Sequence, residues 1–99
     1  MGESAESPID MARVRKAFLN KEILRKAIMA ELDAISLYEE LADNTDDPGM
    51  KEILLDVAKE EKTHVGEFQT LLLKIDKEQL EELENGRKEV ERKLKILST

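Results

Sequence analysis

The sequence predicts an all-α protein: an antiparallel two-helix hairpin followed by a C-terminal helix, with two copies pairing into a four-helix bundle. Three observations carry this. Leu, Ile, Ala, Glu and Lys dominate 99 residues that hold only two prolines and three aromatic residues, the composition of long helices. Apolar residues recur at alternating steps of four and three, which is the stepping of packed helices and not the period of strands. Each interruption of that stepping carries helix-start chemistry.

The first segment, "MGESAESPID", is small, polar and acidic, and residues 1–12 read as a flexible tail. Its opening "MGES" looks like a myristoylation signal, but the sixth residue is Glu where Ser or Thr is required. A single helical-hairpin domain with a C-terminal helix, over residues 13–97, follows. Its first helix runs from about Val14 to Asp43, and "NTDDPG" is a turn. Asp47 is placed to cap the second helix, with Pro48 at its first position, where a missing N–H costs nothing. That helix extends from about Pro48 to Ile75. Asp76 offers a fresh cap, and a highly charged helix spans about 76–97, with Asn85-Gly86 as a weak point at which it could break.

Composition excludes several chemistries. There is no cysteine, hence no disulfide or thiolate site, and one histidine, hence no multi-histidine zinc centre within a chain. A net charge of -7 disfavours nucleic acid and anionic membranes as partners and favours cations. No apolar run is long enough for a transmembrane helix or a signal-peptide core, so a cytoplasmic protein is expected.

The register of the first two helices is the informative feature. On the first, Leu24, Ile28, Glu31, Ile35, Tyr38 and Ala42 form one seam. On the second, Met50, Leu54, Val57, Glu61, His64, Phe68, Leu71 and Ile75 form the other. Both are apolar except at mid-length. At about 1.5 Å per residue, Glu31 lies roughly 18–21 Å back from the turn, and Glu61 and His64 lie roughly 21 and 25 Å beyond it. A short connection favours an antiparallel hairpin, so the three meet at one level.

An isolated Glu-x-x-His on a charged helix is usually a solvated pair. Two carboxylates and an imidazole in the middle of an apolar seam need a compensating charge instead. A metal-free Glu–His salt bridge is one solution and a bound cation the other. Oxygen and imidazole donors without sulfur suit iron or manganese, with zinc and calcium also compatible. Di-iron carboxylate bundles take a Glu from each of two helices and Glu-x-x-His from each of the other two. One chain supplies half of that set. A hairpin also cannot bury both its seam and the flanking Ile23, Leu32, Leu37, Leu55, Val65 and Leu72. Two copies about a two-fold axis solve both problems. Leu80, Leu83, Arg87, Val90, Leu94 and Leu97 repeat the stepping on the third helix, which is expected to dock on a neighbour.

The stretch "MAELDAISLYEELADNTDDPGMKEILLDVAKEEKTH" resembles the encapsulated ferritins, through M-x-E-L-x-A at Met29–Ala34, the D-P turn, and E-E-K-x-H at Glu60–His64. The resemblance implies a ferroxidase that oxidises Fe(II) with dioxygen, a ferritin-like bundle, and two irons per subunit pair held by Glu31, Glu61 and His64. It implies a homo-oligomer whose active unit is the dimer, assembled as a ring decamer (a pentamer of dimers), and an encapsulin shell protein as partner within a nanocompartment. Tyr38 falls where relatives place an aromatic residue close to the metals. Asp33 keeps the acidic character that some relatives show along the route by which iron reaches the site, whereas Ala30 does not. The chain ends "KLKILST" without the Gly- and Leu-rich targeting peptide of separate cargo members, so a truncated chain or a fusion to the shell protein is expected. A rubrerythrin-like peroxide-handling protein and a non-catalytic helical scaffold are the alternatives.

Overall fold

The computed structural model describes residues 10–98, with side chains described as far as Lys95. Most of the expected N-terminal tail, residues 1–9, lies outside the described residues. Helix α1 spans Met11–Asn44, α2 spans Pro48–Ile75 and α3 spans Lys77–Ser98, and no strand occurs among the described residues.

Local chemistry sets every boundary. Helix α1 begins a turn earlier than Val14 because the Asp10 side chain accepts from the Arg13 N–H at 3.1 Å, capping one of the open donors at the helix start. At its other end, Asn44 Nδ2 donates to the Glu40 carbonyl at 2.9 Å. The connection is tightened by the Asp47 N–H donating to Thr45 Oγ1 at 3.2 Å. Asp47 Oδ1 then accepts from the Met50 N–H at 2.9 Å, with Pro48 behind it, as the sequence predicted. Helix α3 runs unbroken through Asn85-Gly86. Asn85 Nδ2 donates to Glu82 Oε2 at 2.8 Å, and Arg87 bridges Glu84 and Glu91 one turn either side, so side-chain ties span the weak point.

Helices α1 and α2 pack along their lengths, whereas α3 meets the hairpin only where it leaves α2. Leu24, Ile28, Glu31, Ile35 and Tyr38 are half-buried and Ala42 is buried, so the whole predicted seam of α1 faces inward. On α2 the inward ridge is Leu54, Ala58, Glu61, Val65, Phe68 and Leu72. Leu54, Glu61 and Phe68 belong to the predicted seam, while Ala58, Val65 and Leu72 lie about 40° around the helix from them or less. The remaining predicted positions form an adjacent line that stays open: Met50, Leu71 and Ile75 are 56%, 50% and 44% exposed, with Val57 and His64 at its edge. The four-three stepping marks the direction of a bundle axis, and a lone hairpin covers only the side of it that faces α1.

Val65 and Leu72, expected to lie exposed at the flanks, are therefore covered within the hairpin; Ile23, Leu32, Leu37 and Leu55 are not. Among the described residues no large side chain is fully buried. The Cα radius of gyration is 20.6 Å, against about 13 Å for a compact chain of this length. Over the described residues the fold is an open frame without a closed core of its own.

Candidate metal centre

Glu31 comes from the middle of α1 and Glu61 and His64 from the middle of α2, and the antiparallel pairing brings them to one level. His64 Nδ1 lies 3.5 Å from Glu31 Oε2 and 3.4 Å from Glu61 Oε2. One donor atom from each of the three residues lies within 4.8 Å of the other two. The carboxylate side chains are 18% and 19% exposed, and the imidazole is 44% exposed. It reaches the cluster from the open line of α2, so the site sits at the edge of the uncovered face and not inside the hairpin.

Glu31 Oε2 is the decisive atom. It is buried and has no hydrogen-bond partner. A buried acceptor without a donor costs about 1–3 kcal/mol, more for a charged group. The one imidazole is shared with a second carboxylate and satisfies neither fully. A hard or borderline cation would supply the missing positive charge, and carboxylate oxygen plus imidazole nitrogen is a donor set that accepts iron or manganese. The residues present therefore fit a metal on their own chemistry.

Other side chains near this level are tied elsewhere. Lys62 Nζ, beside Glu61 in sequence, pairs with Glu39 Oε2 across the helices at 3.1 Å, both largely exposed. Tyr38 lies on the inner face of α1 two turns from Glu31 and is half-buried. Asp33 and Ala30 are exposed, and Asp33 is not brought to the three donors. Two residues along a helix is about 200° of rotation, which puts Asp33 on the far side of α1 from Glu31.

No sequence signal announces the contact between Arg25 and Asp76, at the end of the hairpin away from the turn. Arg25 Nη2 donates to Asp76 Oδ2 at 3.1 Å across 51 positions of sequence. Arg25 reads as one more surface cation on a helix, and only the three-dimensional path of α2 carries Asp76 back to it.

Three comparisons bear on this geometry. The family profile described as Rubrerythrin matches residues 22–99. A ferritin-like-encapsulin shell fusion protein of Pyrococcus furiosus is 61% identical over 69 residues, which are 70% of this chain and 20% of that protein. The encapsulin nanocompartment cargo protein EncC of Myxococcus xanthus is 45% identical over 56 residues, 57% of this chain and 43% of that protein. The chain thus spans a fifth and under half of these relatives' lengths. The crystal structure of the encapsulated ferritin domain from Pyrococcus furiosus superposes with a TM-score of 0.76 at 55% identity, covering 77% of this chain and 78% of that one.

Proposed function

The chain belongs to the rubrerythrin family as an encapsulated ferritin-like domain, and on that premise we propose that it is a ferroxidase whose site is completed by a second copy of the same chain. Fe(II) is the substrate and Fe(III) the product, with dioxygen as the electron acceptor. Glu31, Glu61 and His64 of each copy would hold the iron, six donors around two ions per pair. The single observation that carries this reading is the unpartnered, buried Oε2 of Glu31, set with a second carboxylate and an imidazole at the edge of an uncovered apolar face.

Each residue's task follows from its place. Glu31 and Glu61 lower the local potential and draw cations out of water; their burial in an apolar seam strengthens that field. His64 donates a neutral nitrogen and so binds without adding negative charge. Its position on the open line lets it lie between two copies. The apolar flanks, Ile23 and Leu24 with Leu71 and Ile75 at one end and Met50 with Ile53 at the other, favour a second hairpin over solvent. The two helices of each copy would hold its three donors at one level for the iron, which is what the chemistry requires of the protein.

Assembly and location extend the same proposal. The relatives named as a shell fusion and as nanocompartment cargo support association with an encapsulin shell, in cis or in trans, and a cytoplasmic compartment bounded by it. A decameric ring of such pairs is the assembly that the resemblance suggests. The family profile's description keeps one second reading in play, a rubrerythrin-like di-iron protein that handles peroxide.

Aerobic Fe(II) oxidation, followed by absorbance against a protein-free control, tests the proposal. Glu31→Ala and His64→Ala are each expected to reduce the rate sharply, and wild-type rates in both variants would overturn the site. Running the wild type with hydrogen peroxide in place of dioxygen separates the two readings: a strong preference for peroxide favours the second.

A further inference from the structure

Asp76 joins all three helices. Its backbone N–H donates to the Leu72 carbonyl at 2.9 Å, closing α2. Its carbonyl accepts from the Leu80 N–H at 3.2 Å, and its Oδ1 accepts from the Gln79 N–H at 3.0 Å, opening α3. Its Oδ2 accepts from Arg25 on α1 at 3.1 Å. At 8% exposure it is the one buried charged residue among the described residues. Arg25 is itself held by Glu22 Oε2 at 3.2 Å, one turn back along α1.

Little else constrains where α3 points. It meets α2 only near their junction and does not pack on α1. Between α3 and the hairpin lies an open groove walled by Ile28, Met29, Leu72, Leu73 and Leu83. Beyond Leu83, α3 stands in solvent, with Val90 and Leu94 exposed on one stripe. A single residue between Ile75 and Lys77 would otherwise be a free joint. The lever is long: 22 residues extend about 33 Å, so a 20° change at the joint moves the far end by about 11 Å.

We propose that the Arg25–Asp76 bridge is an elbow lock: it ties the α2–α3 joint to α1 and presets the direction in which α3 leaves the hairpin. The caps alone cannot do this. They fix how α3 starts but leave free the torsions of the residue that joins it to α2. The bridge removes that freedom by anchoring the joint to the third helix. A preset α3 presents its apolar stripe to whatever covers it at one angle and without the entropy cost of being placed. The lock is independent of the metal cluster, which lies near the middle of the hairpin.

The test uses the absence of native cysteine. Nitroxides attached at Ser36→Cys on α1 and Lys88→Cys on α3, both exposed, report the hairpin-to-α3 distance by pulsed dipolar spectroscopy, with labelled chain diluted into unlabelled chain. One narrow distance distribution is expected for the parent chain. Arg25→Ala and Asp76→Asn, the latter keeping a good capping residue, are expected to broaden it by about 6 Å, the 20° swing taken at Lys88 about 18 Å from the joint, with helical circular dichroism unchanged. Arg25→Lys is expected to restore part of the narrowing. An unchanged narrow distribution in Asp76→Asn would overturn the lock and assign α3's direction to the groove lined by Met29 and Leu83. Should Arg25→Ala lose helicity, Asp76→Asn alone decides.

Discussion

Glu31→Gln separates the cost of the cluster from its use. The substitution keeps the side chain's shape and removes one negative charge. In the metal-free chain Glu31 and Glu61 place carboxylate oxygens within 4.8 Å of one another. At an effective dielectric of about 20, two unit charges at that separation repel by about 3.5 kcal/mol. A neutral imidazole leaves this repulsion in place; a protonated one, 3.5 Å from Glu31 and 3.4 Å from Glu61, would outweigh it, so the comparison is made in alkaline buffer. The solvent at the open face screens this repulsion in part. A screened repulsion remains, and the amide of a glutamine could donate to Glu61 where the carboxylate could not. Glu31→Gln is therefore expected to raise the thermal midpoint in EDTA, by about 4–8 °C per kcal/mol for a domain of this size. The parent chain is expected to gain a higher midpoint on adding a divalent metal under anaerobic conditions, and the same variant is expected to lose that gain. The assay is thermal circular dichroism at one fixed protein concentration, with and without metal. A Glu31→Gln midpoint in EDTA equal to or below the parent's would refute the argument from repulsion, and a preserved metal-dependent rise would refute Glu31 as a ligand.

Two further predictions concern α3. Gly86 lies in mid-helix with ordinary backbone angles, and a Cβ there would meet nothing within 4 Å; Gly86→Ala is expected to stabilise the helix by about 0.5–1 kcal/mol, read from urea midpoints, and a lower midpoint would show that Gly86 serves a contact made only in the assembly. The Asp76 carboxyl is held below its ordinary value of 3.8 chiefly by the Gln79 N–H, aided by the charges of Lys21 and Arg25 against the opposing effect of burial. A group depressed in the folded state stabilises above its unfolded value and loses that contribution as pH falls through its folded one. The narrow hairpin-to-α3 distance is thus expected to persist at pH 5 and to broaden only below about pH 3.8, and broadening already at pH 5–6 would contradict it.

Much of the hairpin was legible because its information is local or periodic. Asp47-Pro48 and Asp76 announce helix starts by short-range chemistry that tertiary structure does not alter. Glu31, Glu61 and His64 could be brought to one level by counting residues from the turn, since helical rise is nearly constant. The α2 ridge was misjudged in part for a physical reason. Stepping of four and three identifies the axis around which helices gather, and Met50, Leu71 and Ile75 lie toward that axis on a side that one hairpin leaves bare. Val65 and Leu72 turn toward α1 instead. The start of α1 at Met11 depends on Asp10, which sits in a polar run that reads as tail. The Arg25–Asp76 bridge was illegible altogether, because no periodicity links positions on different helices.

The missing interior has a consequence for the chain's life before assembly. With no large side chain fully sequestered among the described residues, a solitary hairpin holds little free energy against unfolding. If two copies pair as proposed, its survival depends on meeting a partner before a protease does, and its half-life is expected to lengthen with its own abundance. Overproduction would protect this protein, and dilution would degrade it. Under the proposed pairing, the turnover of this chain becomes a count of how many copies are present.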